Sequence, residues 1–152
     1  MKTAKRVAKK PKESNVGRFS VEFDVANNID LVQASLGNIP PEQVRRMTIN
    51  GLVDSGATRL ILPSSVAKKL GLPKVGQTKT KYADGRVGQR DVVDEVRVNL
   101  LGRNCVLNAI VEPKRDTALI GAIVLETLDF VIDCTNQKLV PRDPKQIVSE
   151  IE

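Results

Sequence analysis

The stretch Asn50–Pro63, Asn-Gly-Leu-Val-Asp-Ser-Gly-Ala-Thr-Arg-Leu-Ile-Leu-Pro, constrains the fold of this chain more than any other. Two apolar runs, Leu52–Val53 and Leu60–Ile61–Leu62, flank a small polar turn that carries one carboxylate, Asp54. Both runs have the character of buried strands, so the turn is fixed from both sides and Asp54 is expected at the edge of the core. Gly56 has no Cβ and permits an unusual φ or the close approach of another chain or a ligand. Ser55 offers a short hydroxyl that can tie the turn down. Two accounts fit these residue types. One is a carboxylate positioned for general acid/base chemistry; the other is an ordinary Asp-Ser-Gly turn between strands, which the same residues favour.

The 152 residues suit a single domain with a real core. Trp and His are absent and aromatics make up 3% of the chain, so Val, Leu and Ile must fill the interior, which favours strands. Without His there is no Ser-His-Asp or Cys-His nucleophile system. His-based zinc sites are excluded too, and neither a metal nor a cofactor is expected. Cys105 and Cys134 are too few for a disulfide scaffold; both stand in apolar, strand-like runs and are expected as buried free thiols in a reducing compartment. No apolar run reaches transmembrane length and no hydrophobic leader is recognisable, which predicts a soluble, cytoplasmic protein without a membrane partner.

The formal charge of +6 divides unevenly along the chain. Residues 1–18 hold seven basic side chains against Glu13, whereas residues 19–152 hold seventeen basic and seventeen acidic ones. The expected organisation is a basic, disordered tail over 1–18, a folded domain over 19–144 and a C-terminal tail over 145–152. Only the basic tail is suited to polyanions; the neutral domain shows no stripe of basic and aromatic residues for stacking bases, so nucleic acid is not the expected partner.

Phe19, Val21, Phe23 and Val25 alternate with polar residues, the pattern of a half-buried strand. Asn27–Asn28 breaks it, and a less regular segment runs to Gly37–Asn38 before the surface turn at Pro40–Pro41. Val44, Met47, Ile49 and Leu52 suggest the strand that delivers Asp54. Pro63-Ser64-Ser65 starts a short helix, either serine being able to cap it, and Gly71 followed by Pro73 ends it. Gln77–Tyr82 and Val87–Leu100 form the arms of a hairpin around Ala83-Asp84-Gly85-Arg86, where Asp-Gly is a strong turn signal. This hairpin is polar, with few core anchors, and is either a mobile flap or a plain exposed hairpin. Cys105–Val111 is a further strand, and Glu112–Asp116 a charged loop. Gly121 inside the apolar run Ala118–Leu125 suggests close backbone packing, with one or two helical turns over Ile123–Leu128. Phe130–Asp133 and Lys138–Pro141 pair as a last hairpin, and Pro141 and Pro144 loosen the C-terminus. The sum is all-β with one or two short helices.

Two motifs in this order resemble the retropepsin-like aspartic proteases, the single-lobed retroviral type of clan AA. The first is Leu52 to Thr58 followed by Leu60-Ile61-Leu62; the second is Leu119-Ile120-Gly121 leading into a short helix, with the Asp84-Gly85 hairpin between them. Leu70-Gly71-Leu72 and the closing Asp133…Leu139-Val140-Pro141 hairpin are most similar to the prokaryotic members. The resemblance covers Phe19–Pro144. It implies a homodimeric acid-protease β-barrel in which Asp54 is catalytic and Ser55 braces paired loops. Gly56, Ala57 and Thr58 would belong to the active-site loop. Ala83, Asp84, Gly85 and Arg86 would form the flap, and Leu119, Ile120 and Gly121 the second structural motif. The substrate would be a peptide in extended form. Ala122 stands where retroviral enzymes usually carry an Arg that braces the loop ionically. Because the mechanism needs two aspartates and the chain has one such motif, the second would be Asp54 of another copy. The rival expectation is a retropepsin-like module that dimerises or binds peptides without cleaving them.

Overall fold

The computed structural model describes residues 18–152, among which run nine strands and three short α-helices. The predicted tail lies outside them except for Arg18, which is not tail but the first residue of β1 (Arg18–Asn27). The alternation from Phe19 holds: Phe19, Phe23 and Val25 are buried and Ser20, Glu22 and Asp24 exposed. β1 pairs antiparallel with β2 (Arg46–Asp54), from Ala26 opposite Arg46 to Arg18 opposite Asp54. β2 runs parallel to β7 (Ala118–Ile120), β7 meets β3 (Ile61–Pro63), and β3 runs parallel to β6 (Arg103–Glu112). β6 pairs with β5 (Val87–Leu100), and β5 returns to β1, so six strands close into a barrel. Closure leaves none of the six with a free edge along its paired length.

The barrel interior is aliphatic, as the composition requires. Val25, Val53, Leu60, Leu62, Val96, Val98, Leu100 and Ile120 are fully buried and pack with Phe23 and Phe19. Each such side chain contributes roughly 1.5–3 kcal/mol on leaving water. α2 (Ser64–Leu70) and α3 (Ala122–Leu128) cover the barrel with Val66, Leu70, Val124 and Leu128. β8 (Phe130–Asp133) and β9 (Lys138–Pro141) form the expected separate hairpin.

β5 is 14 residues long, and a bulge between Val93 and Val96 bends it. Glu95 takes a φ of 62° there, the left-handed conformation that bulges exploit. Beyond the bulge β5 belongs to the barrel. Before it, β4 (Lys74–Lys81) pairs with Val87–Val93, and the part from Val87 to Asp91 has only β4 as a neighbour. The polar hairpin therefore projects from the barrel.

Several expectations are corrected. The segment after Asn27 is not irregular but a helix, α1 (Asn28–Ser35): β1 ends at Asn27 as expected, and the Asn27 side chain caps the helix, accepting from the Asp30 N–H at 3.0 Å. The same buried side chain donates to the Leu70 carbonyl at 2.8 Å, and Asp30 receives the Arg45 guanidinium at 2.8 and 3.0 Å. Neither serine caps α2; both lie inside it after Pro63, whereas Gly71 ends it at φ 61° as expected. Cys134 is exposed on the β8–β9 turn rather than buried. Cys105 is half-buried, its thiol pushed up to about 11 by desolvation. The chain beyond Pro141 is also fastened: Asp129 accepts from the Arg142 side chain at 2.7 Å and from the Val148 N–H at 3.1 Å. Arg103 donates to the Asp143 carbonyl from the barrel side.

Candidate active site

Asp54 is the last residue of β2, and the residues beneath it explain its position. Val53 is fully buried and pairs with Ile120 of the parallel strand β7, so the end of β2 cannot shift along its axis without moving the core. The turn that follows closes on itself: the Ala57 N–H reaches the Asp54 carbonyl at 3.1 Å, and the Gly56 N–H donates to Asp54 Oδ1 at 2.9 Å. Gly56 does not use a left-handed φ; its missing side chain matters because a Cβ would come within 3.2 Å of that carboxylate oxygen.

Gly121 is the second half of the arrangement. A Cβ there would lie 2.4 Å from the Arg59 carbonyl oxygen and 2.8 Å from that of Ala57, so the Asp54 turn and the β7–α3 junction touch backbone to backbone. Two hydrogen bonds fix the contact: the Ala122 N–H donates to the Ala57 carbonyl at 2.8 Å and the Ile123 N–H to the Thr58 carbonyl at 2.9 Å. The position lacking the viral arginine thus braces the loop with its main chain. Ile120 and Gly121 are buried and Leu119 is half-buried, facing the cleft described next.

An open cleft of about 710 Å³ runs between the Asp54 turn and the β4–β5 hairpin. Asp54, Gly56, Ala57 and Thr58 line one side, Ala83 and Arg86 the other. Ser55 is exposed on the turn and does not line it; Asp84 and Gly85 lie outside it at the hairpin tip. The tip is a tight turn in which the Gly85 N–H meets the Tyr82 carbonyl at 2.9 Å, with Gly85 at φ 89°. The Arg86 N–H and then its guanidinium hold the Asp84 carboxyl below its usual range.

Residues outside the motifs complete the site. Arg18 faces Asp54 across the β1–β2 pair, its guanidinium 3.4 Å from Asp54 Oδ2, and the Asp54 side chain retains 14% exposure. The hairpin is better anchored than its polarity suggests: Tyr82 donates to Glu112 Oε2 at 2.7 Å, and Arg90 to Glu112 Oε1 at 2.8 Å. Glu112 does not begin the charged loop but is the buried last residue of β6. Desolvation first, and then the hydrogen bond to Glu112, push the Tyr82 hydroxyl above its ordinary range. One signal for this network was available: the chain's single tyrosine stands at the end of a polar strand.

The sequence model of the family described as "gag-polyprotein putative aspartyl protease" matches residues 41–127, from the turn before β2 to the end of α3. The chain belongs to this aspartyl protease family. The match contains the Asp54 turn, the hairpin and the Gly121 junction together. Among solved structures, the chain is similar to the Simian Foamy Virus (mac) protease, with 20% identity and a TM-score of 0.41 over 51% of this chain and 80% of that one. It is similar also to the EIAV protease complexed with the inhibitor HBY-793, with 20% identity and a TM-score of 0.46 over 61% and 82%. No curated protein matches in sequence. The family assignment rests on the sequence model, and the fold is the retropepsin-like barrel. Among the described residues no helix is long and apolar enough to cross a membrane, and no three His, Cys, Asp or Glu side chains gather as a metal site.

Proposed function

We propose that this aspartyl protease family member is an endopeptidase whose dyad consists of Asp54 from two copies of the chain. Carboxylates alone hydrolyse a peptide bond when one takes a proton from water while the other, protonated, polarises the carbonyl. Two carboxylates about 3 Å apart share a proton and titrate as a pair. The observation that carries the reading is the composition of the cleft. Among the described residues its only other carboxylate is Glu112, whose two oxygens are committed to Arg90 and Tyr82. Asp54 therefore needs its partner from a second copy, which a two-fold interface supplies. Ser55 and Gly56, small and exposed at the head of the turn, leave room for the same turn of that copy. The hairpin, with Ala83–Arg86 at its tip, serves as the flap that closes over an extended peptide. No metal or cofactor enters, and the two free thiols fit a reducing, cytoplasmic setting.

The test is digestion of a peptide library by wild type and by Asp54→Asn, with the assembly state followed by analytical ultracentrifugation. Wild type should cleave with a bell-shaped pH profile and lose specific activity as dilution produces monomers. Asp54→Asn should stay folded and lose turnover by several orders of magnitude, and excess mutant should poison wild type. A monomer with full specific activity overturns the dyad. Wild type that binds peptides and cleaves none establishes the non-catalytic module instead.

A further inference from the structure

Among the described residues, the cleft that runs past Asp54 is lined by eight cationic side chains and two carboxylates. The rest of the domain does not share this bias, since residues 19–152 as a whole balance seventeen basic against seventeen acidic groups. Three of the cations are neutralised: Arg18 by Asp54, Arg90 by Glu112 and Arg86 by Asp84. Five are not: among the described residues Arg59, Lys79, Lys81, Lys114 and Arg115 form no ion pair. Arg59 and Arg115 are held by neutral acceptors, Arg59 by the Asn108 side-chain oxygen at 2.8 Å and Arg115 by the Thr117 carbonyl at 2.9 Å. Their charges are positioned without being cancelled.

These five come from three separate walls: the Asp54 loop, strand β4, and the loop between β6 and β7. A cleft with one sign of charge on all its walls concentrates counter-charged ligands. We infer that the substrate is an acidic peptide, bound extended with Asp or Glu side chains on both sides of the scissile bond. This rests on the endopeptidase reading and names the substrate class of the same site. Lys79 and Lys81 are two residues apart on one strand, the spacing at which side chains of an extended ligand recur on one face. Thr80, between them, also borders the cleft, and its buried hydroxyl has no hydrogen-bond partner among the described residues. Nucleic acid fits less well. Tyr82 is the only aromatic residue of the cleft, and its ring already carries the guanidinium groups of Arg86 at 4.7 Å and Arg90 at 5.5 Å. Among the described residues the cleft thus lacks a second aromatic ring on which successive bases could stack.

The experiment uses the full chain and separates binding from cleavage. Acidic, neutral and basic peptides of equal length are titrated by fluorescence anisotropy into Asp54→Asn protein, then offered to wild type for turnover. Acidic peptides should bind about tenfold tighter than neutral ones, an advantage that shrinks as salt screens the cleft. Lys79→Gln/Lys81→Gln and Lys114→Gln/Arg115→Gln should each lower kcat/KM on acidic peptides by roughly three- to tenfold through KM, a larger loss than the same variants show on neutral peptides. The basic tail is present in every variant, so their differences report the cleft. Equal binding of the three peptide classes overturns the inference while leaving the endopeptidase reading intact. So does tighter binding of a single-stranded oligonucleotide than of the acidic peptide, lost in the same variants. Acidic-selective binding with no cleavage of any peptide overturns the endopeptidase reading and keeps the charge selectivity.

Discussion

The turn that carries Asp54 is held by main chain: a parallel strand beneath it, two backbone hydrogen bonds from the start of α3, and a glycine that lets the two backbones touch. The hairpin across the cleft is held by side chains, through one tyrosine and one arginine converging on the Glu112 carboxylate. Main-chain contacts do not depend on rotamers and vary little; side-chain contacts on a projecting hairpin can break singly while the barrel stays folded. One wall of the cleft is thus held by contacts that cannot break singly, the other by contacts that can. On the proposed reading the catalytic group, Asp54, would sit on the firmly held wall, as positional precision demands.

The contrast is broken most severely at Gly121. Gly121→Ala places a methyl 2.4 Å from the Arg59 carbonyl oxygen, and neither backbone can yield without dragging Val53 or α3. The expected loss is about 3 kcal/mol or more in chemical denaturation, at the upper end of overpacking effects. A variant within ~0.5 kcal/mol of wild type shows that the junction has slack, and the claim of a fixed wall then fails.

A smaller effect is expected at Glu112. Glu112→Gln keeps the shape but removes the charge that draws in Arg90 and leaves one acceptor oxygen where Tyr82 and Arg90 now use two. Amide exchange should accelerate by about tenfold between residues 77 and 91, with the barrel strands unchanged. Exchange that accelerates equally in β2 and β7 would mean that the two walls open together, and the comparison collapses.

The difference between the walls also governs what was legible in the sequence. The Asp54 turn and the close packing at Gly121 follow from apolar runs and glycines, because backbone packing imposes residue types at fixed places; the parallel pairing of β2 with β7 beneath the turn has no such local mark. Side-chain networks impose far less. Glu112 reads as the first residue of a charged loop, and only the fold reveals that Tyr82 and Arg90, which lie 30 and 22 positions away, meet on it. Arg18 is indistinguishable by composition from the basic tail before it, yet strand pairing puts it opposite Asp54. α1 escapes detection for a similar reason. Ile29, Val32 and Leu36 recur at helical spacing but remain exposed, so the helix buries no apolar face in the core, and it is held by Asn27 and by Asp30 bound to Arg45. The remaining local signal, Asn27 followed three residues later by Asp30, resembles a capping pattern but is shared with turns.

The smallest effect is also the cleanest to measure. Tyr82 is the chain's only tyrosine and there is no tryptophan, so an alkaline ultraviolet titration of tyrosinate reports this one hydroxyl. Burial and the Glu112 carboxylate both favour its neutral form, so its folded midpoint should lie above the ordinary 10.0. A folded pKa raised above the unfolded one means that the contribution to stability is complete below pH about 10 and is lost as pH rises through the folded value. The hairpin should therefore lose exchange protection in strongly alkaline solution before the barrel unfolds. Tyr82→Phe should show the looser hairpin at neutral pH, at a cost of about 1 kcal/mol for one hydrogen bond, with no further alkaline change in the hairpin. Glu112→Gln should bring the Tyr82 midpoint down toward the ordinary range, because the charge that opposes tyrosinate is gone. A wild-type midpoint at or below the ordinary value would mean that Tyr82 does not rest on Glu112 in solution, leaving the hairpin with the Arg90 contact alone.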